Sequence, residues 1–487
     1  MAIAGVSTLA TRLRAVVGAE GVIDSPADRL VYERDASFFE RGLPDLIVLP
    51  RDTRQVAEVV GLCAEQGVGI VPRGAGTGLV GGCVTRGGVV VATTRLREVV
   101  EINARNRFAL VESGVTPATL NARLLHTGLM FAPDPLSGAA CTVGGCIATN
   151  ARGPRSLKYG DTHAHILGAE VVLRDGQIVQ LGGSREGCPG PELLGMIVGC
   201  EGATGIITRA WLRLARHPAS RHVLLALFAT AAAAWETSQE LLAADIGLSA
   251  LEWLDRLVLD GLVRAAGVRL PKTTQVALLC EIDGAEPTVR ESRERLAEIG
   301  SKGGALELRN AGNPRDQAAL WMWRARAVAA LRGLAPACWV QDVTVPRWQM
   351  AAAMTQFASM ADAHGLRVAQ IAHIGTGCLH PVLLFDDRNE AEASRAVAVR
   401  DAILDYCLSN GGVASGEFGV GREKASFAAR VDSAEVRHAQ AHLQAVFGQA
   451  GPSSVSRDLS PSRDACAEQP DSREVGPPEL VQSEEES

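Results

Sequence analysis

The sequence predicts an α+β fold in two parts, a glycine-rich α+β domain over residues 1–217 and an α/β domain over residues 218–408. Three observations carry this. A chain of 487 residues exceeds one ordinary domain and suffices for two or three. Short apolar runs separated by glycine-rich loops fill the first part. From about Arg221 the texture changes to apolar runs separated by long helical stretches with few glycines.

The N-terminal MAIAGVSTLATRLRAVVG carries Arg12 and Arg14 inside an amphipathic stretch. It lacks the uninterrupted apolar core of a signal peptide, so it reads as the first helix. DLIVLP, RDTRQVAEVVGLCAEQG and VGIVP follow between residues 45 and 72. An apolar run, helical apolar spacing with a glycine stop, and a second apolar run make a βαβ unit. Further strands are expected at residues 88–93, 109–113 and 168–173. In the second domain VLLALFAT, VALLCEID and LRVAQIAHI read as strands, and AAAAWETSQELLAADI and TVRESRERLAEIG as helices. A helix over 394–408, a glycine-rich loop over 411–421 and a helix over 434–447 close the pattern. Residues 449–487 are Ser, Pro and acidic residues with almost no apolar content. Such a segment cannot offset its ordering entropy and is expected to be a disordered acidic tail.

Composition narrows the function. Apolar residues make up 47% of the chain, yet no run approaches the roughly 20 apolar residues of a membrane span. The net charge is -7, but residues 452–487 hold three Arg against nine Asp and Glu, so the body is close to neutral. No basic stripe interleaved with aromatics appears, which excludes nucleic acid as the expected partner. Eleven cysteines, an odd number with no C-x-x-C pair, fit neither a disulfide framework nor an iron–sulfur ligand set. Reduced thiols in a cytoplasm fit them.

The most informative string is VPRGAGTGLVGG over residues 71–82, with five glycines in nine positions. Such a loop lets backbone N–H groups approach a pyrophosphate with no Cβ in the way. Gly76, Gly78 and Gly81 formally match G-x-G-x-x-G, but the chain continues as turn and strand, not as the helix a Rossmann loop opens. A plain glycine-rich turn is the alternative on this loop alone. A second string, DPLSGAACTVGGCIATNARGPRSLKYG over residues 134–160, sets small hydroxyl and amide side chains beside flexible backbone. A third, VGCEGATGIIT over residues 198–208, again combines glycines with a strand.

In order and spacing these strings resemble the FAD-binding domain of the vanillyl-alcohol oxidase superfamily, in the branch of glycolate oxidase FAD-bound subunits and D-lactate or D-2-hydroxyglutarate dehydrogenases. PRGAGTGL, TVGG-x-IATNA-x-GPR-x-LKYG and VG-x-EG-x-x-GIIT are nearly intact, and the resemblance runs from about residue 8 to about residue 430. It implies a two-subdomain FAD-binding domain, an α/β cap, and a segment over 409–448 that returns to the FAD domain. By the resemblance Arg73, Gly74, Ala75, Gly76, Thr77 and Gly78 hold the FAD pyrophosphate. Pro133, Asp134, Ser137, Thr142, Gly144, Gly145 and Asn150 line the cofactor, with Ile206 and Ile207 near its adenine side. No His follows Arg73 where some relatives attach the flavin, so FAD is expected to be noncovalent.

In the second domain His373 and His380 place two imidazoles seven residues apart, and Glu417 follows in ASGEFGVGREK. A pair of histidines alone is more often structural. With the carboxylate added, the set would leave open positions on a divalent ion such as Zn, Mn or Fe, which could polarise a 2-hydroxyl. The set resembles the family's H-x-G-D-G-N-x-H and G-E-H-G strings, which implies His373, His380 and Glu417 as metal ligands. Thr376 stands at the usual Asp, Cys378 at the Asn, and Phe418 at the histidine that takes the hydroxyl proton. An apolar ring accepts no proton. Cys378 reads as a soft ligand, a reactive thiol, or a small buried residue filling the Asn position. Arg324 resembles the family arginine that pairs with the substrate carboxylate, a solvated helix arginine being the alternative. QDVTVP matches the family too, and Val340 replaces the lysine of 2-hydroxyglutarate enzymes, which points to a monocarboxylic substrate. The family's closing F-D-P-x-x-x-x-N-P-G-K string is replaced by SSVSRDLSPSRD.

The expectation is therefore an FAD-dependent dehydrogenase or oxidase converting a small D-2-hydroxy acid to the 2-oxo acid. Its acceptor is a quinone or electron-transfer protein, and its setting is the cytoplasm, with peripheral contact at the inner face of the membrane. Partner subunits or a homodimer are compatible. The alternatives are an FAD oxidoreductase on another alcohol and a catalytically impaired FAD-binding subunit of a complex.

Overall fold

The computed structural model describes residues 2–184 and 192–447; the acidic tail and the divergent closing string lie outside the described residues. Within them the βαβ unit forms as read. Leu46–Val48 and Ile70–Arg73 both pair in parallel with Val89–Ala92, and Val22–Ile23 adds an antiparallel edge. The intervening helix Thr53–Glu65 is capped by Asp52, whose side chain accepts from the Gln55 N–H. It buries Val56, Val59, Val60 and Cys63, the i, i+3, i+4, i+7 stripe, against Leu9 and Leu13 of the first helix. Burial of side chains of this size contributes roughly 1.5–3 kcal/mol each.

The second sheet of this domain runs Val99–Asn103, Phe108–Glu112, Ile206–Arg213, Ile166–Val172, Ile178–Gly182, antiparallel throughout. Val172 and Ile206 reach into the first sheet's core, which joins the two halves. The second glycine string is helical in part, over Val143–Thr149 and Ser156–Tyr159. Gly144 and Gly145 weaken a helix, but Thr142 caps its start and Asn150 ends it in the left-handed conformation at φ 48°.

The cap holds an eight-stranded sheet in the order Glu307–Ala311, Ser220–Phe228, Val276–Gly284, Leu248–Leu254, Arg367–His373, Cys378–Phe385, Ala337–Val340, with Val343–Thr344 also on Cys378–Phe385. Strands and helices alternate along the chain as read, and every pairing in this sheet is antiparallel. Both faces are covered. Along one strand Leu224, Ala226 and Phe228 enter one core while Val223, Leu225 and Leu227 enter the other. That explains why VLLALF is apolar without alternation.

Charged side chains tie the parts together. Arg155 holds buried Glu281 of the cap through Nε and Nη2 at 2.6 and 2.9 Å, and Asp134 through Nη1 at 2.7 Å. Lys158 reaches Asp283 at 2.5 Å. From the other side Glu201 accepts the backbone N–H groups of Val420 and Gly421 at 2.9 and 2.7 Å, and Arg422 N donates to Val80 O. The segment after residue 409 is thus held on the first domain. Among the described residues no helix is long and apolar enough to cross a membrane.

Candidate active site

A cavity of about 500 Å³ runs from the glycine loops of the first domain to His380 of the cap. Arg73, Gly74, Ala75, Gly76, Thr77, Gly78, Ser137, Thr142, Gly144, Gly145, Ile206 and Ile207 line one end; Arg324, Val340, His380, Glu417 and Phe418 line the other. Pro133, Asp134 and Asn150 are not in the lining. Pro133 is buried and Asp134 is turned to Arg155. Asn150 donates to Asp161 and accepts the His163 N–H.

The glycines are there for close approach. A Cβ on Gly74 would stand 2.4 Å from Thr142 Oγ1, and one on Gly144 2.7 Å from Ser113 Cβ. The loop therefore lies directly against the first turn of Val143–Thr149, leaving a backbone-walled cradle. Arg73 is nearly buried, and its guanidinium is engaged by Arg34 O at 2.9 Å and Cys83 Sγ at 3.4 Å. Those two contacts hold the loop's shape. Asp35 lines the cavity with a buried Oδ2 that has no hydrogen-bond partner. Sequence reading missed it.

At the far end His373 and His380 come together on adjacent strands, ring centroids 5.1 Å apart and perpendicular. His380 Nδ1 lies 3.3 Å from the Gln341 carbonyl, which can only accept, so Nδ1 carries the proton. His373 Nδ1 lies 2.5 Å from Glu252 Oε1 in the same way. Both rings thus turn Nε2 toward Glu417, at 3.1 Å from His380 and 3.6 Å from His373. Glu417 Oε2 is buried and has no hydrogen-bond partner. These are the donor chemistry and anchoring of a two-histidine, one-carboxylate metal site. Burial opposes a charge on His373, but Glu252 and then Glu417 overcome it and push its pKa up to about 10, so a divalent ion bound there would take the place of the proton on Nε2. Burial would raise Glu417; His380 and His373 instead hold it far below the carboxylate range.

Three carboxylate-centred groupings escaped the sequence reading. Glu252 is fully buried and also accepts from Arg324 Nε at 2.6 Å. Asp342 Oδ2 takes the N–H groups of Gly416, Glu417 and Phe418, each at 2.9 Å, and so fixes the loop that presents Glu417. Glu281, with Arg155, ties the cap to the first domain. Arg324 is 3% exposed, which removes the solvated-arginine alternative. Cys378 is buried outside the cavity lining, and its thiol donates to Asp342 Oδ1 at 3.4 Å. Burial and then Asp342 push that thiol well up, so it is no thiolate nucleophile. Phe418 stacks on His380 at 5.2 Å.

Comparison with known proteins agrees with this architecture. Residues 44–182 match the FAD binding domain family, and residues 217–464 match the C-terminal domain of FAD linked oxidases. The chain belongs to the FAD-linked oxidase family. It is 36% identical to the glycolate oxidase subunit GlcD of Bacillus subtilis (strain 168), over 85% of this chain and 88% of that protein. To the subunit of that name from Escherichia coli (strain K12) it is 33% identical, over 92% and 90%. A probable mitochondrial D-lactate dehydrogenase of Danio rerio is 29% identical over 86% and 85%. Among solved structures, 4-ethylphenol oxidase from Gulosibacter chungangensis shares the fold with a TM-score of 0.75 at 18% identity, covering 92% and 97% of the two chains. p-Cresol methylhydroxylase does so at 0.72 and 17%, covering 94% and 98%. These two likenesses are of fold alone.

Proposed function

We propose that this protein oxidises a small D-2-hydroxy acid of the glycolate or D-lactate type to the 2-oxo acid. The single observation that carries the reading is one cavity walled at one end by the glycine cradle and at the other by Arg324, His380 and Glu417. FAD, held noncovalently along residues 73–78 and 142–145, supplies the two-electron acceptor. A divalent ion between His373, His380 and Glu417 would lower the pKa of a 2-hydroxyl.

The chain's own groups do the rest. Arg324 spends Nε on Glu252, sets Nη2 3.5 Å from His373 Nε2 and borders the cavity, so Nη1 is the donor left for the substrate carboxylate. Val340, where a second carboxylate would need a cation, borders the same space and favours a monocarboxylic acid. Glu252 keeps His373 in one tautomer, and Asp342 keeps Glu417 on its loop. With Phe418 apolar, no ring stands where the family histidine would take the hydroxyl proton, so proton removal limits the rate.

The apolar lining by Phe418, Val340 and Val328 also supports a second reading, an alcohol less polar than glycolate. Retention of the two histidines and the glutamate supports catalysis over a decayed subunit. A quinone or electron-transfer protein as acceptor, a cytoplasmic setting with contact at the inner face of the membrane, and partner subunits or a homodimer complete the proposal by likeness to the glycolate oxidase subunits. Turnover of a panel of D- and L-2-hydroxy acids with an artificial electron-accepting dye tests it, with the 2-oxo acid measured directly. Formation of the 2-oxo acid from D-acids alone is expected, and its absence from every acid contradicts the reading.

A further inference from the structure

Two cysteines that hydroxy-acid oxidation does not use stand in the wall of the same cavity. Cys141 and Cys146, 6% and 2% exposed, both line it, and their sulfurs are 3.6 Å apart. Cys141 immediately precedes the cap Thr142, and Cys146 lies in the helix Val143–Thr149. Backbone bonds fix both, from Cys141 N to Ser137 O at 2.8 Å and from Cys146 N to Thr142 O at 2.9 Å. The hydrogen bond between them lowers the Cys141 thiol pKa and, with burial, raises that of Cys146. That is the asymmetry of an attacking and a resolving thiol. Cys63, Cys280 and Cys407, by contrast, are pushed up to about 12 by burial alone or mainly.

We propose that Cys141 and Cys146 are a thiol–disulfide switch in the cavity wall, closing to an intramolecular disulfide when the cavity holds no FAD and thereby weakening FAD uptake. The inference rests on FAD occupying this cavity. The oxidant is a small disulfide of the glutathione class. The Cys141 thiolate attacks one of its sulfurs and releases one thiolate, which takes up the proton Cys141 lost. The Cys146 thiolate then attacks the Cys141 sulfur, the intramolecular bond forms, and the second small thiolate leaves and takes the Cys146 proton. Two protein thiols are oxidised and one disulfide is reduced to two thiols. Closure brings the sulfurs from 3.6 Å to about 2.05 Å. The residues between them include Thr142, which touches Gly74, and the cavity-lining Gly144 and Gly145. The movement is delivered to the cradle itself, and by reciprocity FAD opposes the disulfide.

The test uses the full chain both FAD-loaded and stripped of FAD. Each form is incubated with glutathione disulfide, alkylated and mapped by mass spectrometry. The stripped chain is expected to carry a Cys141–Cys146 link that the loaded chain lacks, and the linked form to bind FAD about tenfold more weakly than the reduced form. Cys141→Ser, which lacks the attacking thiol, is expected to show the same FAD affinity before and after the oxidant, whereas Cys146→Ser is expected to retain glutathione on Cys141. No link in the stripped chain, or a link from Cys141 to Cys83 or Cys200 instead, overturns the pair. Equal linkage in both forms, or equal FAD affinity, overturns its coupling to the cavity. A chain that takes up no FAD even when reduced fails the FAD reading, and the stripped arm still judges the pair.

Discussion

Glu252 and His373 form the pivot of the active site: Oε1 of the carboxylate lies 2.5 Å from Nδ1 of the ring, with both side chains almost wholly buried. The same carboxylate holds Arg324 through Oε2. One residue thereby orients both the histidine that faces Glu417 and the arginine that borders the cavity.

Replacing Glu252 with Gln keeps the shape and removes the charge. Metal content measured by inductively coupled plasma mass spectrometry is expected to fall by roughly 10–100-fold in affinity. Denaturant unfolding is expected to show a loss of about 3–5 kcal/mol, since Arg324 is left buried without its counter-charge. An unchanged metal affinity would remove Glu252 from the site's support.

Gly74→Val sets a branched side chain where a Cβ alone stands 2.4 Å from Thr142 Oγ1. The variant is expected to purify without the yellow flavin absorbance while keeping its far-ultraviolet circular dichroism. Full FAD content would show that the loop does not form the cradle.

Phe418→His restores a proton acceptor beside His380. With proton removal limiting the native chain, kcat with the best hydroxy acid should rise at least about tenfold. A slower or unchanged variant would mean that proton removal does not limit the reaction.

Glu423, its side chain 5% exposed near Arg400, has its pKa raised to about 7 by burial, against the lowering effect of Lys424 and Arg400. The folded state therefore binds this proton more tightly than the unfolded chain. The resulting stability is fully present below about pH 4.5 and is lost as pH rises through about 7. Glu423→Gln should flatten the fall of unfolding free energy across that window by no more than about 3 kcal/mol. Identical pH profiles for the two proteins would contradict the shift.

Much of this was legible in the chain. VPRGAGTGLVGG announces a backbone cradle because only glycines tolerate that approach, and His373, His380 and Glu417 do converge. Glu252 was not legible, because one carboxylate in SALEWL looks like a solvent-facing residue until both faces of the cap sheet are known to be covered. Asp342 acts on residues 416–418, more than seventy positions away, so no local pattern marks it. Arg155 and Lys158 sit in a string read as cofactor-lining, yet they reach Glu281 and Asp283 on the cap. The paired acids in VALLCEID were the signal, two charges on one face of an otherwise apolar strand.

The most direct test of the central claim is anaerobic mixing of the FAD-loaded protein with D- and L-2-hydroxy acids, following the oxidised flavin absorbance with and without a chelator. Bleaching by a D-acid that slows when the metal is removed is the predicted result, and a flavin that no hydroxy acid reduces would contradict it.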